Sequence, residues 1–344
     1  MKLVLCILII FVLSIPTITE IGPTPGSQLV RPVFEKADVV CNCFVRSLSP
    51  ANTQPSIVKG NCPGPARMSA DIVVRDWYKT SQYSLASLVV EYDQDQACYS
   101  ITQPTVWKGE TALMFLKATP SATYAWADTF LAAIPFKSLP PQSGQLGPGK
   151  LQAALMFVAN QQNREDQIRA LRLLHGFDTL TPDSVSSILP LSDSKDPDVA
   201  FLALAVLLTT KTPESVERLV RYLDAYKGDR GPLALININT DLAQIRDVRA
   251  LSHLELLCSS RFALIRDGAM RALRGIKSPH SVPVLVQRLD DSDSDIKYLA
   301  VITLAEILGK YEGDYAPSMY LFDKKPSFYT NLWKTWWANE RHTP

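Results

Sequence analysis

The sequence predicts two folded parts behind an export segment: a small β domain, then a longer array of paired helices. Three observations carry this reading. Apolar residues alternate with period two from Ala37 onward, and from about Leu151 they recur at helical spacing. The helices that follow repeat at a near-constant interval. Clusters of Pro and Gly separate the parts.

The first segment, 1–19, reads as a signal peptide. Lys2 supplies the positive end, Leu3 to Ile15 form an apolar run, and Pro16 closes it. The run is shorter than the roughly 20 residues that span a bilayer. Thr17 and Thr19 offer a cleavage site before Glu20, with an uncleaved anchor as the competing reading. No later run is long enough to span a membrane. Residues 20–32 read as a linker. The β domain covers 33–140. Val39, Cys41, Cys43 and Val45 alternate with Val40 and Phe44 as a strand does, and Ala70–Trp77, Leu85–Tyr92 and Ala112–Leu116 continue the pattern. Asn52 to Pro65 reads as a loop. Residues 141–150, with their Pro140-Pro141 and Gly147-Pro148-Gly149 clusters, read as a second linker.

Helical repeats are expected over 151–310. Thr181-Pro182, Thr212-Pro213 and Ser278-Pro279 each start a helix, because a hydroxyl caps the first turn and proline lacks only an N–H that would be unpaired there. After each start the apolar positions recur. Val185, Ile188 and Leu189 match Val216, Leu219 and Val220, then Val282, Leu285 and Val286. In the partner helices Val199, Ala203 and Leu207 match Ile265, Ala269 and Leu273, then Ile296, Ala300 and Leu304. Ile168 extends the frame upstream. A helix over Asp241 to Leu257 fills the remaining gap, and Gly275 and Gly309 read as C-terminal caps. Residues 311–344 read as a cap, because Phe328, Tyr329, Leu332, Trp333, Trp336 and Trp337 form an aromatic stripe at helical spacing.

The segment Phe262 to Gly275 (FALIRDGAMRALRG) resembles the VRxxAAxALG helix of short bacterial HEAT repeats of the PBS-lyase type. Ser281 to Lys297 resembles its continuation. Such repeats occur in phycobilin lyases and in many proteins of other or unknown role, so the resemblance implies a solenoid and leaves activity open. In the first half, Asp71 to Lys79 and Trp107 to Leu116, with Cys98 between them, resemble netrin/tissue-inhibitor domains, which are OB-like barrels stapled by disulfides. That likeness implies one further possibility, protease inhibition. Tissue inhibitors chelate zinc through the free amine of an N-terminal Cys-x-Cys, and Cys41-Asn42-Cys43 has the spacing but lies inside the chain. The whole then reads as a multidomain β + α chain: a small disulfide-bearing OB-like β barrel followed by an α-helical HEAT-type solenoid.

Composition limits the function classes. With 35 basic and 34 acidic residues the formal net charge is +1, which argues against nucleic acid as a partner. Cys41, Cys43, Cys62 and Cys98 form a candidate disulfide set with three possible pairings. Because Cys41 and Cys43 share a strand face, each is expected to pair outside that strand. Cys258 reads as a buried thiol. His175, His253, His280 and His342 have no metal-ligand spacing, and Asp290 to Asp295 lacks the glycine and glutamate of a calcium loop and reads as a capped turn. Arg266, Arg271 and Arg274, with Arg261 and Arg288, are the candidate partner surface, suited to an acidic peptide; a solvated face with local acid partners is the plainer reading. No phosphate loop, G-x-S-x-G elbow or H-E-x-x-H motif occurs. The expectation is an exported, non-enzymatic scaffold without a cofactor that binds a protein or peptide. A lyase-related enzyme or enzyme accessory is the alternative.

Overall fold

The computed structural model describes residues 30–50, 66–80, 86–94, 107–121, 123–127, 133–137, 139–177, 179–229 and 232–340. Residues 1–19, read above as a signal peptide, the stretch Asn52 to Pro65, read as a loop, and Cys62 and Cys98 lie outside them. Helix α1 (Val30–Lys36) opens the described chain, so the expected linker ends earlier than Pro32. Six strands follow: β1 (Val39–Pro50), β2 (Ala66–Lys79), β3 (Ser87–Gln94), β4 (Thr111–Ala118), β5 (Tyr124–Trp126) and β6 (Ala133–Pro135). Strands β1, β2 and β4 contain the stretches expected from alternation, and β3 covers the Leu85–Tyr92 stretch from Ser87 onward. The three-residue β5 and β6 are too short to show a period.

The strand order β1-β2-β3-β5-β4 closes through a β1–β4 pairing, giving a five-stranded barrel with β6 added on β4. All pairs are antiparallel except β3–β5, and this is the connectivity of an OB-like barrel. Register shifts between β1 and β2 at Val40/Cys41, Asn42/Cys43 and Val45/Ser47 supply the extra coiling that closure needs. Val39, Cys41, Cys43, Val45, Ile72, Val90, Met114 and Leu116 fill the interior.

The outward face of the same strands is buried too. Val40, Tyr78, Leu113 and Phe115 join Val33 and Phe34 of α1 and the first array helices in a second core. The 141–150 stretch is therefore docked rather than a free linker. Lys150 Nζ, buried, bonds Asp76 Oδ1 at 2.5 Å and Trp77 O at 3.0 Å. Asp76 also accepts Gln142 N at 2.8 Å, and Gly147 N donates to Tyr78 O at 2.8 Å. The chain already turns into helix at Pro148.

The array consists of α2 (Pro148–Ala159), α3 (Arg164–His175), α4 (Pro182–Ile188), α5 (Pro197–Leu208), α6 (Pro213–Ala225), α7 (Pro232–Leu242), α8 (Leu251–Leu257), α9 (Ala263–Ile276), α10 (Val282–Arg288) and α11 (Ser294–Leu308). The terminal pair is α12 (Met319–Lys324) and α13 (Pro326–Glu340). The expected starts hold: Thr181, Thr212 and Ser278 each accept a first-turn N–H. Even-numbered helices α2 to α10 form one row. The second row, α3-α5-α7-α9-α11, runs in unbroken neighbour contact and ends on α13. Its core extends from Phe201 to Trp333.

Three details differ from the sequence reading. The N-caps Asn163 and Asp196 set the first repeat, so that Asp166, Ala170 and Leu174, rather than Ile168, stand opposite Val199, Ala203 and Leu207. A carboxylate fits there because the barrel side packs on α3: Asp166 Oδ2 accepts Lys137 N at 3.0 Å. Asp241 to Leu257 is not one helix. It holds the end of α7, a turn, a 3-10 turn and α8. Gly275 lies within α9, where an added Cβ would strike the Arg246 side chain, and Lys277 at φ 57° ends the helix; Gly309 at φ 66° does cap α11.

Candidate ligand surface of the repeat array

The three arginines expected to form a basic surface do not form one. Arg266 is buried. Its guanidinium bonds Asp291 Oδ1 at 2.7 Å and Ser260 O at 2.9 Å, tying the start of α9 to the turn before α11. Arg271 forms a two-point pair with Asp267 at 2.7 and 3.0 Å, and Arg274 pairs with Glu306 on α11. Helical spacing brings Arg271 to Asp267, and packing between neighbouring elements brings Arg266 and Arg274 to theirs, so the positive charge is neutralised locally. The same bonding explains the aspartate-rich turn: Asp291 accepts from Arg266, and Asp293 caps α11. Among the described residues no group of His, Cys, Asp and Glu is placed to hold a metal.

These pairs belong to a ladder across the second row. His175 Nε2 on α3 lies 2.6 Å from Asp241 Oδ2 on α7, so this histidine is buried rather than a surface group. Asn239 Nδ2 on α7 donates to Leu264 O and to Asp267 Oδ2 on α9, both at 2.7 Å. Arg274–Glu306 carries the ladder from α9 to α11. Gly268 permits the α7–α9 contact, because an added Cβ would stand 2.8 Å from Asn239 O. Cross-helix bonding of this kind fixes the face as a preorganised surface.

Among the described residues, Arg172 of this row makes no hydrogen bond. Glu165, Arg169 and Arg172 form the less buried stripe of α3, and Arg169 bonds Asp166 at 3.3 Å. Arg172 is half-buried, its Nε is out of solvent, and no hydrogen bond reaches it among the described residues. Burial holds its pKa below the ordinary guanidinium value; the Asp198 charge opposes that shift, and Arg169 adds to it. A partly desolvated guanidinium without an acceptor is a costly arrangement that a ligand carboxylate would relieve. Sequence reasoning missed Arg172, because an arginine on an exposed-looking helix stripe gives no sign of burial.

The remaining expected groups fall elsewhere. The Cys41 and Cys43 sulfurs meet each other inside the barrel, whereas strand alternation predicted partners outside β1; their Cα atoms stand 5.8 Å apart on the locally bulged strand. Cys41 also pairs with Met114 in the β1–β4 ladder, so an N-terminus cut before it would remove Val33, Phe34 and Val40 from the core. The free amine at Cys41 that the zinc-chelating mode of tissue inhibitors requires would thus come at the expense of part of this core. A cleft of about 470 Å³ between α1, β2 and α2 is lined by Phe34, Lys79, Gly149, Gln152, Phe177 and Leu180. Its polar groups are spent internally: Lys79 Nζ bonds the Phe34 and Glu35 carbonyls at 2.9 and 2.7 Å, and Gln152 Nε2 bonds Thr179 O at 2.8 Å.

Cys258 is fully buried beside α8, as expected. Burial, assisted by Glu255 and opposed by Arg288, pushes its thiol up to about 12. Because only the thiolate is nucleophilic, native protein at neutral pH should leave Cys258 unmodified by iodoacetamide, and denaturant should expose it. Peptide mass mapping of native and denatured samples checks this; labelling of the native protein at the unfolded rate would contradict it.

A closed five-stranded barrel joined to a two-row helical array defines the class. Residues 265–291 match the family model described as PBS lyase HEAT-like repeat. No curated protein matches the chain. Among solved structures the chain is similar to an engineered protein of the Northeast Structural Genomics Consortium, at 19% identity and a TM-score of 0.34, over 47% of this chain and 80% of that one. A second engineered protein of the same consortium is similar at 20% identity and a TM-score of 0.30, over 46% of this chain and 48% of that one. No described helix is long and apolar enough to cross a membrane.

Proposed function

We propose that the chain is an exported, non-enzymatic scaffold that holds a protein or peptide partner on the second-row face of its repeat array. The observation that supports this most is Arg172, a half-buried guanidinium without a hydrogen-bond partner among the described residues, on a face otherwise fixed by the His175–Asp241, Asn239–Asp267 and Arg274–Glu306 contacts. A partner carboxylate would complete it, and a desolvated charge-assisted pair of this kind typically contributes about 1.5–3 kcal/mol. HEAT-like repeats supply extended surfaces for such partners. Export through residues 1–19 and disulfide formation among Cys41, Cys43, Cys62 and Cys98 belong to the same reading.

Affinity capture from envelope and medium fractions, with wild-type and Arg172→Glu baits, tests the surface. Partners retained by wild type should be lost with Arg172→Glu and partly kept with Arg172→Lys. An identical partner set on all three baits would sink the assignment of this face. N-terminal sequencing of the native protein should read from Glu20, and intact mass before and after reduction should differ by the hydrogens of each disulfide. A retained Met1 in a reduced, cytosolic protein would end the export reading.

A further inference from the structure

The terminal helix pair seals the array on one side and leaves an apolar surface on the other. Inward, Phe322, Tyr329 and Trp333 are buried in the array core. Outward, Tyr311 is 60% exposed, Met319 45%, Tyr320 67%, Leu321 48% and Phe328 47%. Nearly half of the large exposed apolar side chains in the described residues thus fall within this one short stretch. The patch is continuous with the core below it through ring contacts: Phe328 stands edge-on to Tyr329 at 5.1 Å, and Tyr329 stacks on Phe322 at 6.1 Å. Terminal caps of repeat arrays normally turn a polar face to solvent, so this one is a cap on its inner side only. Apolar surface gathered in this way marks an interaction site.

We propose that this patch is where a second copy of the same chain binds, in a two-fold dimer joined through α12 and α13. Charge selects the occupant. Asp323, Lys324 and Lys325 follow the apolar run directly, and Glu312 and Asp314 precede it. None of the five forms an ion pair among the described residues; Lys324 only covers the Tyr320 ring at 4.0 Å. An anionic membrane surface would call for a rim of one sign, and the carboxylates here oppose it. An acidic peptide would meet the same opposition. Adjacent unpaired charges of both signs beside an apolar centre suit a partner that offers the same pattern reversed. A two-fold axis provides that, because residue i meets j while j meets i. The second-row face that includes Arg172 lies on other helices, so this inference does not depend on the function proposed above.

Sedimentation equilibrium of the full native protein, across the micromolar range, tests it. Wild type should show the two-chain mass. Leu321→Glu, at an exposed position that leaves the fold intact by circular dichroism, should weaken dimerisation about thirtyfold or more, as removal of a central apolar anchor does. Asp323→Lys and Lys325→Asp should each sediment as single chains, and an equimolar mixture of the two should regain the two-chain mass. A wild-type protein that stays single throughout overturns the proposal. So does a dimer that survives Leu321→Glu and Asp323→Lys unchanged. Co-sedimentation of a single-chain wild type with phosphatidylserine vesicles, lost in Leu321→Glu, would overturn it in favour of a lipid surface.

Discussion

Asp291→Ala should lower the unfolding free energy by about 3–5 kcal/mol, because it leaves a buried arginine charge without its counterion. The Arg266 guanidinium and the Asp291 carboxylate are both almost fully inside the protein and 2.7 Å apart. Asp291 has two further contacts: it accepts Asp293 N at 3.0 Å, and Arg288 lies 3.7 Å from its other oxygen. One carboxylate thus joins the start of α9, the end of α10 and the turn into α11. Arg266→Met alone should cost less, since it leaves Arg288 and the Asp293 amide to hold the acid. The double variant Arg266→Met/Asp291→Ala removes both charges of the pair, so it should cost less than the two single variants added together, with a coupling of about 1–3 kcal/mol. Urea denaturation of the four proteins checks this. A cost for Asp291→Ala no larger than that of an exposed aspartate would mean that the pair does not hold the repeat together.

Arg266 shows where sequence reading stops. Its motif identified the repeat, and the same motif position led to its being read as surface, because arginine is usually exposed. Position alone cannot show that a buried acid lies 25 residues downstream. The helix pairs were legible because capping hydroxyls, first-turn prolines and apolar spacing all agree at Thr181, Thr212 and Ser278. Helix α7 was not. Its sequence, PLALININTDL, is apolar nearly all round and has no stripe to mark a buried face. In the barrel, β1 to β4 showed their alternation, but the contact of Val40 and Phe115 with the helices is a tertiary fact without a local sign. For that reason the Pro- and Gly-rich stretch before α2 looked like a spacer, when a buried Lys150–Asp76 pair anchors it to β2. The polar ladder escaped for a related reason. His175 and Asp241 meet across two repeats, so neither has its partner within its own helix pair.

Trp333→Ala should cost about 3–5 kcal/mol, the range for a large aromatic removed from a packed core. Trp333 is wholly buried, packs edge-on against Tyr315 at 4.9 Å and Trp336 at 5.4 Å, and donates Nε1–H to Tyr315 O at 3.1 Å. Its removal opens a cavity and frees a backbone acceptor at the same place. Trp336 and Trp337 lie in the same stripe but are only partly buried, so their alanine variants should cost clearly less. How the loss is distributed matters more than its size. In a repeat array each unit is stabilised chiefly by its neighbours, so damage at one end should loosen that end first. Amide hydrogen exchange of Trp333→Ala should therefore show lost protection in α11 and α13, a smaller loss in α9, and little change in α3 and α5, which are held by the barrel-side core. Equal loss in α3 and α11 would mean that barrel and array unfold as one cooperative unit, with α13 a keystone for the whole chain instead of a local cap.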